Sequence, residues 1–333
     1  MAAPTETVVL QADDLVRAYP VGSLLSRARV SAVDGVSLEL RRGEVLGIVG
    51  ESGCGKSTLA RMLVGLERPD SGRLFYRGQD VTAGRRADRH LLRDGVQMIF
   101  QDPYASLDPR MAVLDIIAEP LAATGSGTRA SRRDRVAELL GLVGLDTDMM
   151  SRFPHQFSGG QRQRIGIARA LALDPDVLIC DEPVSSLDVS VQAQVINLLA
   201  DLQRRLGVAI VFIAHDLSVV QHVADRVAVM YLGRIAEIGD TAAIYGEPSH
   251  PYTQALLSAV PAADRSARGR LARRRILAGE PPSPVNPPTG CRFNPRCWLA
   301  QDLCRHDTPP LHEIAGRLSA CHFADQALRH PTP

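Results

Sequence analysis

Three observations predict an α/β architecture in which a mainly parallel sheet is covered by helices on both faces. Short, continuous apolar runs at 177–180 and 208–214 alternate with helix-length segments, as expected of parallel strands buried on both sides. A strand, a glycine-rich loop and a helix follow one another at 44–66. From Tyr104 to about Phe157 the alternation gives way to helical character, which reads as a helical insertion in an α/β core.

Segments 33–40 and 44–49 read as strands, and 56–66 as a helix whose Leu59, Met62, Leu63 and Leu66 recur at helical spacing. Gly65 to Gly72, with Pro69 and Asp70, is a connection, and 73–76 and 96–100 are strand-like. Helices over 111–121 and 131–143 are joined by the Gly/Ser/Thr stretch 124–128. From Ser158 a helix runs through Ala172 with Ile165, Ala168 and Ala172 on its inner face. A buried strand at 177–180, a helix at 189–206 and a strand at 208–214 follow. Segments 227–231 and 234–238 flank Leu232-Gly233 and predict a hairpin at the sheet edge. Beyond about Pro248 the composition shifts. Pro281, Pro282, Pro284, Pro287 and Pro288 form a linker-like stretch, and the remainder is too short for its own core without a staple. No internal repeat is found.

The chain has 333 residues, room for one large domain with an appendage or for two domains. Lys plus Arg number 38 against 37 Asp plus Glu, so no basic field of the kind that holds nucleic acid is expected. The arginines at 85–86, 132–133 and 273–275 read as solvated faces. No apolar run approaches the ~20 residues of a spanning helix, and the first ten residues lack a secretion signal. These readings predict a soluble, cytosolic chain.

Gly50, Ser52, Gly53, Cys54, Gly55, Lys56, Ser57 and Thr58 lie in a G-x-x-x-x-G-K-S-T run. Backbone N–H groups of such a loop close around phosphate oxygens, the lysine meets β/γ charge and the serine ligates Mg²⁺. Asp181 ends an apolar strand, where a carboxylate stands at the sheet's carboxyl edge and can hold Mg²⁺. Glu182 is the candidate general base, since attack on a γ-phosphate needs an aligned water and a nearby acceptor. His215 ends the next apolar strand and can contact the γ-phosphate or polarise the water, although a lone strand-end histidine is more often structural. Gln101 also ends a strand, where its amide can sense Mg²⁺ and water or serve packing alone. Ser158, Gly159, Gly160 and Gln161 open a helix, a second anion-facing element that the first loop does not need. Two such elements suggest two chains sharing each nucleotide.

Cys54, beside Lys56 at a helix start, is either a small loop residue or a thiol of lowered pKa, and Cys180 reads as inert packing. Cys291, Cys297, Cys304 and Cys321 have five, six and sixteen residues between them and lack the close pairs usual for zinc. Four thiolates on one centre, either [4Fe–4S] or Zn²⁺, would staple so short a tail, with plain reduced thiols the remaining reading.

The set Tyr19, Gly50 to Thr58, Gln101, Ser158 to Gln161, Asp181, Glu182, Ser185 to Asp188 and His215 resembles the ATP-binding subunit of an ABC transporter. That resemblance implies a P-loop NTPase cassette, a RecA-like core with a β-subdomain and the helical insertion, here at 1–247 with the helical part about 104–157. It implies ATP and Mg²⁺ as ligands, Tyr19 stacked on adenine, the signature Ser158 to Gln161 completing the opposing subunit's site, and Asp188 at the dimer seam. Phe100 to Arg110 and His250 to Thr253 are similar to dipeptide/oligopeptide importers, a group that includes nickel importers. The remaining 248–333 then corresponds to their C-terminal extension, in which Cys-Arg-Phe-x-Pro-Arg-Cys recurs and some members carry a [4Fe–4S] cluster. The departures are Gln156 for Glu, Ser186 for Ala, and Trp298-Leu299 for Pro-Tyr. Tyr104 makes the loop after Gln101 more similar to the second of two ATPase subunits. The implied partners are a paralogous ATPase, two integral-membrane permeases and an extracytoplasmic solute-binding protein, with this chain on the cytoplasmic face and no nucleic acid bound. DNA- or ribosome-directed relatives, which carry coiled coils or paired cassettes, do not match the short spacer here, and the tail speaks against an exporter.

Overall fold

Strands of two kinds build two sheets. The computed structural model describes residues 7–22, 29–102, 106–259 and 279–329, so Tyr104 and the arginines at 273–275 lie outside the described residues. In chain order the strands are β1 (Val8–Pro20), β2 (Arg29–Arg41), β3 (Val45–Val49), β4 (Ser71–Tyr76), β5 (Gln79–Asp80), β6 (Val96–Ile99), β7 (Val177–Asp181), β8 (Ala209–Ile213), β9 (Arg226–Tyr231), β10 (Arg234–Asp240), β11 (His312–Ile314) and β12 (Arg317–Ser319). The smaller sheet is antiparallel in the order β2-β1-β4-β5. The larger runs β11-β12-β10-β9-β3-β8-β7-β6 and is parallel from β9 to β6.

Every residue of β3, β7 and β8 is buried, because helices cover both faces of the parallel strands and leave no solvent side for polar residues. The parallel arrangement brings the segments that follow β3, β6, β7 and β8 to one carboxyl edge of the sheet, the usual place for a ligand in such folds. The insertion consists of helices Val113–Ala123 and Arg129–Leu142 with two short 3-10 turns, Thr147–Ser151 and Pro154–Gln156. Its Ile116, Ile117, Val136, Leu139 and Leu140 share one buried cluster with Ile165 and Ala168, so the insertion shares the core's packing.

Three features depart from the sequence reading. Strand β1 was not expected: register shifts and Asp14 at φ 53° break its alternation. A helix that was not expected, Arg86–Gly95, begins at the arginines 85–86, which are exposed as a solvated face should be, and it buries Asp88 and Leu92. The β9–β10 hairpin forms, but it is not the sheet edge. Chain from the C-terminal extension adds β12 to β10, pairing Glu237 with Ser319 and Gly239 with Arg317, and β11 follows.

The extension is also seated by side chains. Phe293 packs 5.4 Å from the rings of both Tyr231 and Tyr252, which stand 4.5 Å from each other. Pairs of this kind contribute about 0.5–1.5 kcal/mol each beyond their buried area. Arg292 donates to the carbonyl of Leu232 and to Asp34. Among the described residues no helix is long and apolar enough to cross a membrane.

Candidate nucleotide site

The loop after β3 is shaped around Lys56. Its ammonium is buried and donates to the carbonyls of Gly50 at 2.8 Å and Glu51 at 3.1 Å. Helix Lys56–Leu63 begins here, with Gly55 as its cap at φ 107°. A Cβ at Gly55 would collide with the carbonyl oxygen of Ala32, so the turn requires glycine on steric grounds as well. Ser52 and Gly53 are exposed, while Ser57 and Thr58, in the helix's first turn, are half-buried.

Ser57 donates from Oγ to Oδ1 of Asp181 at 3.1 Å, joining the loop to the end of β7. Burial pushes the Asp181 carboxyl above its ordinary range, partly opposed by the Ser57 bond. A cation held between the two would reverse that penalty, and a hydroxyl beside a carboxylate is a donor set suited to Mg²⁺. Glu182 follows at φ 47°, an uncommon conformation for a residue other than glycine. Its carboxylate accepts from Gln101 Nε2 at 2.9 Å and lies 3.5 Å from Nδ1 of His215. Gln101, Asp181, Glu182 and His215 are thus brought together at one sheet edge.

Ser158 caps helix Gly159–Ala170 reciprocally: Gln161 N donates to Ser158 Oγ at 3.3 Å, and Ser158 N to Gln161 Oε1 at 3.0 Å. Ser158 is exposed. A Cβ on Gly160 would clash with Val191, so close packing on helix Val189–Leu206 demands glycine there. Asp188 caps that second helix through Val191 N at 3.0 Å, and its bond from Ser190 is first among those holding its pKa low. Val189, beside it, is 82% exposed, an apolar side chain left open at this face. Tyr19, at the end of β1, has Arg17 over its ring at 5.0 Å and donates to Glu67.

Cys54 corrects the idea of an activated thiol. It is 3% exposed, and burial raises its pKa more than nearby Lys56 lowers it. Cys180 is buried and likewise raised by desolvation. Cys291, Cys297, Cys304 and Cys321 line one small cavity with His250 and Phe293, so the fold does gather them. Desolvation pushes Cys297 and Cys321 up to about 12, each further disfavoured by the other thiols. Among the described residues, however, no three His, Cys, Asp or Glu side chains form a group able to hold one metal ion.

The C-terminal extension reaches the phosphate loop. Arg296 makes a double ion pair with Glu51, at 2.9 and 3.1 Å, and Glu51 N donates to the hydroxyl of Tyr252 at 2.9 Å. Sequence reasoning missed all three residues. The available signal was the carboxylate itself, since an acidic residue inside an anion-binding loop calls for a neutralising cation.

With this geometry in view, comparison with known proteins is specific. Residues 33–185 match the family model for ABC transporters, and 236–304 match the oligopeptide/dipeptide transporter C-terminal region. The chain is 51% identical over 327 residues to the dipeptide transport ATP-binding protein DppF of Escherichia coli (strain K12), covering 97% of each. It is 49% identical over 329 residues to the oligopeptide transport ATP-binding protein AppF of Bacillus subtilis (strain 168), covering 97% of this chain and 99% of that one. Among solved structures, a post-hydrolysis dimer of the ATP-binding cassette MJ0796 bound to ADP and Pi aligns with a TM-score of 0.62 at 27% identity, over 70% of this chain and 98% of that one. The chain belongs to the ABC transporter ATP-binding family. It is an ATP-hydrolysing cassette that takes ATP with Mg²⁺, and membership implies dimerisation and membrane permease partners.

Proposed function

We propose that this chain is the energy-coupling ATPase of a di- or oligopeptide importer, acting on the cytoplasmic face of the membrane. The observation that carries the reading is likeness to peptide-transport ATPases along nearly the whole chain, including the C-terminal region. Its division is an ATPase unit at 1–247, with a helical part at about 104–157 that meets the permeases, and an extension at 248–333. Its partners are a paralogous second ATPase, two permeases and an extracytoplasmic solute-binding protein. A nickel or other small-solute importer of the same group is the second reading, resting on the shared extension motif at His250 to Thr253.

In this reading Lys56 and the amides around Gly53 to Thr58 bind the phosphates, Ser57 and Asp181 hold Mg²⁺ with Gln101 nearby, and Tyr19 meets adenine. Glu182 accepts a proton from the attacking water, whose oxygen bonds to the γ-phosphorus as the bridge to the β-phosphate breaks and ADP leaves. Gln101 and His215 orient that water and carboxylate. Ser158, Gly159, Gly160 and Gln161 of one subunit face the nucleotide of the other, with Asp188 at the seam. What supports this is the contact of Glu182 with both Gln101 and His215, and the exposure of Ser158 and Asp188.

For the tail, we propose a structural [4Fe–4S] cluster held by Cys291, Cys297, Cys304 and Cys321. Support comes from the cavity that the four cysteines line together, and Zn²⁺ on the same four thiolates is the alternative. Anaerobic purification tests it: iron with visible charge-transfer absorbance supports the cluster, and colourless, iron-free protein removes it.

The function as a whole is tested by affinity purification from gently solubilised native membranes. Recovery of two polytopic subunits, a second ATPase and a solute-binding protein supports an importer, and ribosomal or DNA-associated partners alone overturn it.

A further inference from the structure

We propose that Arg296, on the C-terminal extension, is a positioning residue for nucleotide binding: it neutralises Glu51 inside the phosphate loop and keeps that loop receptive to polyphosphate. The inference rests on the reading of Gly50 to Thr58 as the ATP site.

Glu51 sits directly after Gly50 and is held on three sides. Its carbonyl accepts from Lys56 Nζ at 3.1 Å, its N–H donates to Tyr252, and its carboxylate takes both terminal nitrogens of Arg296. Two of those partners come from chain 201 and 245 positions away, so the loop is fixed from outside the cassette core. The Arg296 side chain is 6% exposed and that of Glu51 24%, so water screens the pair only partly. The planar guanidinium fits a carboxylate in two-point fashion and stays charged at any working pH, which a lysine would do less rigidly. Its Nε has no hydrogen-bond partner, which leaves its hold to the terminal nitrogens, directed at Glu51 and, at 3.4 Å, the Tyr231 hydroxyl. Phe293, three residues earlier, anchors the turn Asn294–Arg296 in the Tyr231–Tyr252 cluster and so fixes where the guanidinium stands.

A carboxylate in a loop that must receive several phosphate charges opposes binding unless its charge is cancelled. The Arg296 contribution is therefore electrostatic, and removing Glu51 should make Arg296 dispensable. This separates the proposal from a purely structural role, in which losing either partner does harm and losing both does no better.

The test is equilibrium binding of Mg-ATP to the full-length chain, with thermal unfolding recorded for every variant. Arg296→Met is expected to weaken binding about tenfold. Glu51→Gln is expected to bind more tightly than the parent, and the Glu51→Gln/Arg296→Met pair to return to the parent's affinity. Unchanged binding in Arg296→Met, or a double variant as weak as Arg296→Met alone, overturns the proposal. Should Arg296→Met fail to fold, Glu51→Gln decides: binding tighter than the parent's, as expected of a guanidinium left unpaired beside the phosphates, supports charge cancellation, and unchanged or weakened binding overturns it. Lys56→Ala separates this inference from the site reading, because undiminished Mg-ATP binding in that variant would mean that the loop is not the ATP site at all.

Discussion

Gln101 donates from Nε2 to Oε2 of Glu182 across 2.9 Å, although the two lie 81 positions apart in the chain. The amide at the entrance to the helical insertion and the carboxylate at the end of β7 are thereby one hydrogen-bonded unit, with the His215 ring 3.5 Å from the same oxygen. Glu182→Gln should keep Mg-ATP binding and ATP-dependent dimerisation while slowing hydrolysis by about 10²–10⁴-fold. Single-turnover kinetics would check it, and hydrolysis at the parent's rate would remove Glu182 from its proposed role.

The phosphate loop holds two glycines that should respond differently. Gly53, at φ 76°, has open space where a Cβ would go, whereas Gly55, at φ 107°, faces the Ala32 carbonyl. Gly53→Ala should cost only the left-handed backbone penalty of about 1–2 kcal/mol. Gly55→Ala adds a clash with fixed backbone and should cost more than about 3 kcal/mol, together with nucleotide binding. Urea unfolding of both variants measures the difference, and equal losses would contradict the packing described.

Asp70 accepts from Ala18 N at 2.9 Å and pairs with Arg17 at 2.9 Å and Arg29 at 3.2 Å, joining the end of β1 to the start of β2. The Ala18 bond, then the two arginines, hold its carboxyl below the ordinary range. A depressed folded-state pKa means that this stabilisation is fully present above the unfolded value of about 3.9 and is lost as pH falls through the lower folded value. Asp70→Asn should therefore unfold earlier than the parent at pH 7, by roughly 0.5–1 kcal/mol, with the difference closing in strong acid. Thermal melts across pH 7 to 3 would show it, and a constant offset would argue against the ionised carboxylate as the cause.

Phe293 is 2% exposed and touches two tyrosines, one on β9 and one on helix Pro251–Ala259. Phe293→Ala should destabilise the protein by about 3–5 kcal/mol. Limited proteolysis should then cut the extension ahead of the core. Uniform resistance would show that the strand pairing alone secures it.

The parallel strands were legible because β3 and β8 are apolar throughout and β7 is apolar up to its terminal Asp181, and the phosphate loop because its glycines and lysine have fixed spacing. Strand β1 was not, since Asp13, Asp14 and Arg17 and its register shifts hide any period of two. Strands β11 and β12, at three residues each, are too short to carry a pattern and exist because β10 offers a free edge. At the site, Asp181, Glu182 and His215 were found from their strand-end positions. The Glu51–Arg296 pair was invisible because no local rule connects residues 245 positions apart.

The pairing of β12 onto β10 also sets where this chain can be cut. Removing the extension would strip the hydrogen-bonding partners from Glu237 to Gly239, bare the face that Phe293 covers and leave β10 as an unprotected strand rim. Such a rim recruits other strands, so a fragment ending near residue 247 should self-associate through its sheet instead of behaving as a smaller ATPase. The last quarter of the polypeptide is in this sense the final course of the wall that the nucleotide loop stands on.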